Sequence, residues 1–371
     1  MQTRNHPLAA PGLGAHRSVT SFHFGTRGDG QKVYIQAGLH ADEIPGMLVC
    51  HHLKAMLAEL EAAGRLLGEV VLVPVCNPVG LDQSLLFDAQ GRFDLASGEN
   101  FNRGYPQFAE AIGDALEGAL GAGAAVNRQR IREAMRDYLA AQHPVGELAS
   151  LRHTLVSLAF DADIVLDLHA DFEAVVHLYT ETPYVEEALP LCRLLGARAL
   201  LLAEGSGGQS FDEALSGVWW QLARRYPDAN IPRACFATTV ELRGETDVEH
   251  ETARADAAAL LAFLTLKGVV AGDAPQLPPA LCEPTPLAGS EPLIAPEAGV
   301  VVYCKASGDR VAAGETVCEI VDPVSGRVLP LAATVDGVLY ARAATRFALA
   351  GANLGKVAGR VPFRSGNLLS A

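Results

Sequence analysis

No stretch of the chain comes near the roughly 20 uninterrupted apolar residues that a membrane-spanning helix requires. The mean hydropathy is positive, at +0.17, but the apolar residues behind it are scattered and many are alanine. The opening residues, MQTRNHPLAAPGLGAHRSV, hold no apolar stretch of the kind a secretion signal carries, so the cytoplasm is the expected location. Cysteine is thinly spread. The seven residues, Cys50, Cys76, Cys192, Cys235, Cys282, Cys304 and Cys318, include no CxxC pair. That spacing argues against a disulfide framework and against a cysteine-based zinc site. Most of them sit in apolar segments, where a free thiol behaves as a small hydrophobe. Basic charge is short as well. With 29 Lys and Arg against 43 Asp and Glu the net charge is −14, which disfavours nucleic acid as a partner. A small charged substrate is not excluded, because a site can be locally positive in an acidic protein.

What is present is enough apolar material, 49% of 371 residues, for one large domain with a buried core and a smaller second one. From about residue 30 strand-like and helix-like segments alternate. VYIQAG (33–38), EVVLVPVCNP (69–78), DIVLDLHA (163–170), AVVHLYT (174–180), RALLLAE (198–204) and CFATTVEL (235–242) read as buried strands. Helical patterns cover 47–65, 185–196, 212–225 and 248–267. The fold class expected is α/β, a mixed-sheet sandwich with helices on both faces. Two segments break the alternation. Residues 79–105 form a polar loop too long for a simple connection, and hence a functional one. Residues 106–160, rich in Ala, Glu and Arg, read as a helical insertion or cap.

A proline-rich stretch, GDAPQLPPALCEPTPLAGSEPLIAP (272–296), marks a second boundary. Beyond it the texture is all-β, short strands with glycine turns. The domains expected are 1–271, a linker at 272–292, and a β-rich unit at 293–371. The two halves of that unit echo each other and resemble the barrel-sandwich hybrid fold of biotinyl and lipoyl domains. Carriers of that group display a modified lysine on a central hairpin. The corresponding hairpin here, DPVSGRV (322–328), has none. A structural or assembly module is therefore expected rather than a carrier.

The strongest chemical signal is AGLHADE (37–43). His40 and Glu43 form an H-x-x-E pair where a strand gives way to a helix, the position at which α/β sheets place ligands. His169, at the end of DIVLDLHAD, supplies a third group. Two imidazoles and a carboxylate suit Zn²⁺ and leave a coordination position for water. Asp167, two residues before His169 and on the same side of the strand, can orient the imidazole. Either histidine alone reads better as an ordinary core residue; the full set at strand ends favours a metal. In the long loop, ENFNRGYP (99–106) offers Asn102 and Arg103, a donor fork matched to a carboxylate. Arg92, in AQGRF, is a second positive group, though an arginine in a polar loop is usually just solvated. In TTVELRGE (238–245), Glu241 ends an apolar strand and can serve as general base. Glu245 and Glu251 read as solvated residues at a helix start.

These motifs together resemble the succinylglutamate desuccinylase/aspartoacylase family, a branch of the zinc carboxypeptidase-like fold, over most of residues 30–270. G-x-H-x-x-E at 38–43 is similar to the family's first zinc motif and D-L-H at 167–169 to its second. N-R at 102–103 is similar to the pair that binds the substrate carboxylate, and T-x-E at 239–241 to the segment with the catalytic glutamate. The resemblance implies hydrolysis of an amide by water activated on one Zn²⁺ per chain. It also implies a proton shuttle at Glu241, a carboxylate clamp at Asn102 and Arg103, and a second arginine that stabilises the oxyanion. Arg92 is the candidate for that arginine, 11 positions before Arg103. Arg243 stands where the family has a small residue, and can bind an acidic substrate group or pair with Glu245.

The reading is a zinc-dependent deacylase of an N-acyl amino acid or related small amide. A metallocarboxypeptidase acting on peptides is the alternative within the same chemistry. A non-catalytic metal-binding pseudoenzyme is the third reading, and it predicts a missing ligand or base. The partner expected is a small molecule, with no nucleic acid and no membrane; a homo-oligomer stays open.

Overall fold

The computed structural model describes residues 1–28 and 30–369, and a nine-stranded mixed sheet forms its centre. In chain order the strands are Gln2–Pro7 (β1), Ser18–Phe24 (β2), Lys32–Ala37 (β3), Glu69–Val73 (β4), Ile164–Asp171 (β5), His177–Glu181 (β6), Ala199–Ala203 (β7), Phe236–Gly244 (β8) and Pro284–Pro286 (β9). In space they run β1-β2-β4-β3-β5-β8-β6-β7-β9. The inner strands β4, β3, β5 and β8 are parallel neighbours, whereas β8 meets β6 antiparallel.

The inner strands are apolar throughout because successive side chains leave on opposite faces and both faces are covered. Val33, Ile35, Val70, Leu72, Ile164, Leu166 and Leu168 enter one core. Tyr34, Val71, Val73 and Val165, one position out of step, enter the other. The first core is closed by helices Pro45–Ala62 (α1), Val185–Leu195 (α2) and His250–Leu266 (α3) through Leu53, Leu191 and Phe263. Helices 108–113, 124–140 and 147–159 close the second together with Phe211–Arg225, here α4 in order of introduction. The segment expected as an insertion therefore forms part of the layer over that face. Its side chains Ile131, Met135, Leu151 and Leu155 are fully buried there. Each such side chain contributes about 1.5–3 kcal/mol of apolar burial.

Strands β1 and β2 lie before the region in which sequence alternation begins. β1, QTRNHP, is an exposed edge strand with no apolar periodicity to mark it. Within the proline-rich stretch Pro284–Pro286 pairs with β7 as the outer strand of the large sheet. Proline is tolerated at an edge, where no neighbour needs its missing N–H.

Beyond residue 290 the chain forms two small antiparallel sheets. One runs Ser290–Ile294, Asn353–Gly359, Gly337–Arg342, Arg310–Val311; the other runs Val328–Ala332, Thr316–Val321, Gly299–Tyr303, Phe347–Ala348. Leu293, Leu339 and Val357 from the first share a core with Val301, Val317 and Ile320 from the second. These strands also reach the large sheet. Glu173–Ala174, just after β5, pairs with Gly337–Arg342, and Tyr340 packs with Tyr179, Leu201 and Leu287. Among the described residues no helix is long and apolar enough to cross a membrane.

Candidate metal centre and its cavity

Gly38 ends β3 with φ +72°, a left-handed turn that a residue with a side chain resists. The turn it opens carries His40 and Glu43, and α1 starts immediately afterwards at Pro45. On β5, Asp167 and His169 follow the parity of Val165 and so leave on the face opposite Leu166 and Leu168. Glu241 on β8 pairs in register with His169. Three separate segments thereby meet at one end of the sheet.

The carboxylate of Glu43 lies between two imidazoles. Its Oε1 is 2.8 Å from Nδ1 of His40, and its Oε2 is 2.7 Å from Nδ1 of His169. All three groups are buried, and one ligand atom from each lies within 4.8 Å of the others, a cluster able to hold a metal ion. The outer ring nitrogens test that fit. Nε2 of His40 is 2.9 Å from Oδ1 of Asn100. The backbone N–H of Asn102 donates to the same Oδ1 at 2.8 Å, which identifies it as the oxygen. The His40 proton therefore sits on Nε2 and the lone pair of Nδ1 faces Glu43. Nε2 of His169 is 3.1 Å from Oδ2 of Asp167, whose Oδ1 accepts from Gln36. Both imidazoles are thus oriented with Nδ1 inward, as metal ligands require.

Electrostatics follow the same geometry. Burial, then the nearby Arg92 charge, lowers the His40 pKa to about 4, so the ring is neutral at pH 7. Burial opposes charge on His169 also, but Asp167 and Glu43 hold it well above the ordinary histidine range. Burial pushes the Glu241 carboxyl up to about 8, with the Glu43 charge next in weight. Its Oε2 is buried and has no hydrogen-bond partner among the described residues.

A cavity of about 240 Å³ opens beside the cluster, lined by His40, His169, Glu241, Arg92, Asn102 and Arg103 among others. The long loop is pinned there by the backbone. Ala41 N–H donates to the carbonyl of Gly91 at 2.9 Å, and Nη1 of Arg92 is 3.1 Å from Oε1 of Glu43. Asn102 accepts from the N–H of Phe211 through Oδ1 at 2.9 Å, and Arg103 donates to the Asn102 carbonyl at 2.7 Å.

The structure thus brings together His40, Glu43, His169, Asp167, Glu241, Arg92, Asn102 and Arg103. It does not bring Arg243 to the cavity. That residue has φ +67° and donates from both Nη atoms to the two oxygens of Asp256, at 2.6 and 2.9 Å. Its partner is Asp256 on α3, not the adjacent Glu245.

Several groups at the site carried no legible signal. Asn100 lies two residues before Asn102, and only the density of polar residues in ENFNRG hints at it. Lys356, Arg364, Leu368 and Leu369 come from the C-terminal part and line the same cavity. Lys356 pairs with Asp171, two residues past His169. Glu181 and Glu213 line it too, from segments read as ordinary strand and helix.

Residues 29–266 match the family model of the succinylglutamate desuccinylase/aspartoacylase catalytic domain. Among solved structures the chain is similar to a succinylglutamate desuccinylase/aspartoacylase family protein from Shewanella amazonensis SB2B. The TM-score is 0.85 at 27% identity, with 96% of this chain and 98% of that chain covered. A protein of the same family from Shewanella frigidimarina NCIMB 400 shares the fold at 24% identity and TM-score 0.82, over 96% and 97% of the two chains. The ectoine utilization protein of Ruegeria pomeroyi, in a product-bound structure, shares the fold at 16% identity and TM-score 0.66, over 96% and 93%. No curated protein sequence matches the chain.

Proposed function

The chain belongs to the succinylglutamate desuccinylase/aspartoacylase family, and from that premise we propose that it is a zinc-dependent amidohydrolase that deacylates an N-acyl amino acid. The observation that carries the proposal is one cavity bordered by the His40–Glu43–His169 cluster, Glu241, and the Asn102–Arg103 pair. The two imidazoles and one carboxylate suit Zn²⁺, one ion per chain. Bound there, the ion supplies acidification of a water molecule and polarisation of the amide carbonyl.

The remaining work falls to the protein's own groups. Glu241 accepts a proton from the attacking water at Oε2 and passes it to the leaving nitrogen as the C–N bond breaks. Burial and the Glu43 charge raise this carboxyl, and a cation held by the His40–Glu43–His169 cluster would favour the ionised form that takes the proton. Arg92, whose Nη1 lies 3.1 Å from Oε1 of Glu43 and which lines the cavity, is our candidate for stabilising the oxygen on which negative charge develops. Arg103 offers its guanidinium to the substrate carboxylate, and Asn102 holds the turn against the start of α4.

The C-terminal strands narrow the approach, with Lys356 and Tyr340 on the cavity wall. A cavity of about 240 Å³ favours a small acyl amino acid over a peptide. We assign the large sheet and its helices to catalysis, with Pro284–Pro286 as its outer strand in place of part of the expected linker, and the strands from Ser290 onward to an unmodified module of barrel-sandwich type. The seven cysteines are all free, which supports a reducing cytoplasmic setting.

The test is a panel of N-acetyl, N-succinyl and N-formyl amino acids offered to the zinc-loaded protein, with release of the free amine as readout. Turnover of the panel that stops on chelation supports the proposal. Hydrolysis of intact peptides in place of the panel would reverse it in favour of a carboxypeptidase.

A further inference from the structure

A second cleft, of about 310 Å³, opens where the large sheet meets the C-terminal strands. It shares no lining residue with the catalytic cavity. One apolar cluster stands between the two, with Ala199 and Ala358 on the cleft and Leu201 and Tyr340 on the cavity. Three arginines line the cleft. Arg198 precedes β7, Arg310 opens the short strand Arg310–Val311, and Arg360 follows Asn353–Gly359. Glu283 is the one carboxylate among the lining residues. In a chain of net charge −14 this is a locally positive place.

Part of the arrangement has a structural explanation. Arg360 lies 2.7 Å from a carboxylate oxygen of Glu283, but both side chains are mostly exposed, and such a pair contributes little. Arg198 donates to the carbonyl of Gly308 at 3.2 Å, one bond from a guanidinium with five donors. Arg310 makes no side-chain hydrogen bond or ion pair among the described residues. Exposed arginines are ordinarily just solvated, and alone these three would mean no more than that. The buried wall adds an independent observation. Thr285, the middle residue of β9, is 8% exposed, and its Oγ1 is buried with no hydrogen-bond partner among the described residues. Buried hydroxyls are nearly always paired. The unused capacity around the cleft is thus a hydroxyl and several guanidinium N–H groups, which a negatively charged acceptor satisfies together. A planar carboxylate is filled by one arginine fork, whereas arginines reaching in from three separate segments suit a tetrahedral anion with several oxygens. The volume is also well above the roughly 30 Å³ share of one water molecule, so an esterified phosphate has room.

We propose that this cleft is a second ligand site, which takes a phosphoryl group, free or esterified to a small molecule, on Arg198, Arg310 and Arg360, with the Thr285 hydroxyl donating from the wall. A ligand there joins the large sheet, through Arg198 and Thr285, to the C-terminal strands, through Arg310 and Arg360. Those strands wall the catalytic cavity through Lys356 and Tyr340, so the site is placed to hold that wall in position.

Calorimetry on the zinc-loaded protein at low ionic strength tests this, with glycerol 3-phosphate, inorganic phosphate and malonate as probes. Both phosphates should bind, malonate at least about tenfold more weakly, and affinity should fall as salt is added. Arg310→Ala and Thr285→Val should each weaken glycerol 3-phosphate by at least about tenfold, whereas Arg103→Ala, in the other cavity, should not. Tighter binding of glycerol 3-phosphate than of phosphate identifies an esterified ligand, and equal binding identifies free phosphate; either supports the site. Binding lost in Arg103→Ala and kept in Arg310→Ala would put the anion in the catalytic cavity and overturn the proposal. So would malonate binding as tightly as the phosphates, or no binding of either phosphate at millimolar concentration. If Thr285→Val fails to fold, Arg198→Ala combined with Arg310→Ala, both at exposed positions, decides the same question.

Discussion

The side-chain oxygen of Asn100 lies 2.9 Å from Nε2 of His40, on the far side of the imidazole from Glu43. Because that oxygen also accepts from the N–H of Asn102, one short turn sets both the tautomer of a proposed metal ligand and the start of the proposed carboxylate clamp. Replacing Asn100 with alanine should release the His40 ring and weaken metal affinity by about 10–100-fold. Competition of the purified variant against a chelator of known affinity measures it. Unchanged affinity would show that His40 is oriented by something other than Asn100.

Glu241→Gln keeps the shape of the side chain and removes its ability to take a proton. The variant should retain one zinc per chain and lose rate by roughly 10²–10⁴. Metal content by mass spectrometry and amine release in single turnover separate the two effects. A variant with full metal and near-normal rate would remove Glu241 from the mechanism.

The C-terminal strands reach the site through Lys356, and its pairing explains why that contact matters for stability. Burial alone would lower the Lys356 pKa, but the Asp171 charge raises it to about 12, and Lys356 lines the cavity. Lys356→Met leaves Asp171 with an uncompensated charge and should cost about 1.5–3 kcal/mol. It should also change KM more than kcat, since Lys356 lines the wall and not the metal cluster. Urea unfolding and steady-state kinetics check the two parts.

At the opposite end of the sheet Asp161 receives Lys32 and Arg27. Burial raises its carboxyl pKa, but those two cations win and hold it below the ordinary aspartate value. A carboxyl whose folded pKa is depressed stabilises the fold above the unfolded value, near pH 4, and loses that contribution as the pH falls through the folded value. Asp161→Asn should therefore be less stable than wild type by about 1–3 kcal/mol at pH 7. The gap should close toward pH 3. Thermal midpoints of both proteins across that range test the sign; a gap that widens in acid would refute it.

The parts of this architecture that were legible in the sequence are those set by short-range chemistry. The apolar runs of β3, β4, β5 and β8 are continuous because both faces are buried, and that alone announced the sandwich. His40, Glu43, His169 and Glu241 were legible because each ends or directly follows such a run. β1 was not, because an exposed edge strand has no buried face to impose a period. β9 was hidden by its prolines, which an edge tolerates. Lys356 and Arg364 reach the cavity through the packing of Tyr340 and Leu287 against the large sheet, a relation between distant segments that leaves no local pattern. Arg243 illustrates the converse. Its place beside the Glu241 motif suggested substrate, but its backbone turns through φ +67° and its charge meets Asp256 on α3.

Gly91 offers a test of how strictly the long loop must hold Arg92. A Cβ built on Gly91 would lie 2.1 Å from the backbone nitrogen of Asp42 and 2.6 Å from the carbonyl carbon of Ala41. Neither atom can give way without moving the turn that carries His40 and Glu43. Gly91→Ala must therefore shift the loop outward and break the 2.9 Å bond from Ala41 N–H to the Gly91 carbonyl. The cores lie elsewhere, so the fold should survive with near-native circular dichroism. Displacing a positioned group by about 1 Å can cost on the order of 10²-fold in rate. Gly91→Ala should lose activity on that scale, and Gly91→Ala combined with Arg92→Ala should lose little more than Arg92→Ala alone. Additive losses in the double variant would mean that Gly91 acts through the metal turn itself rather than through Arg92.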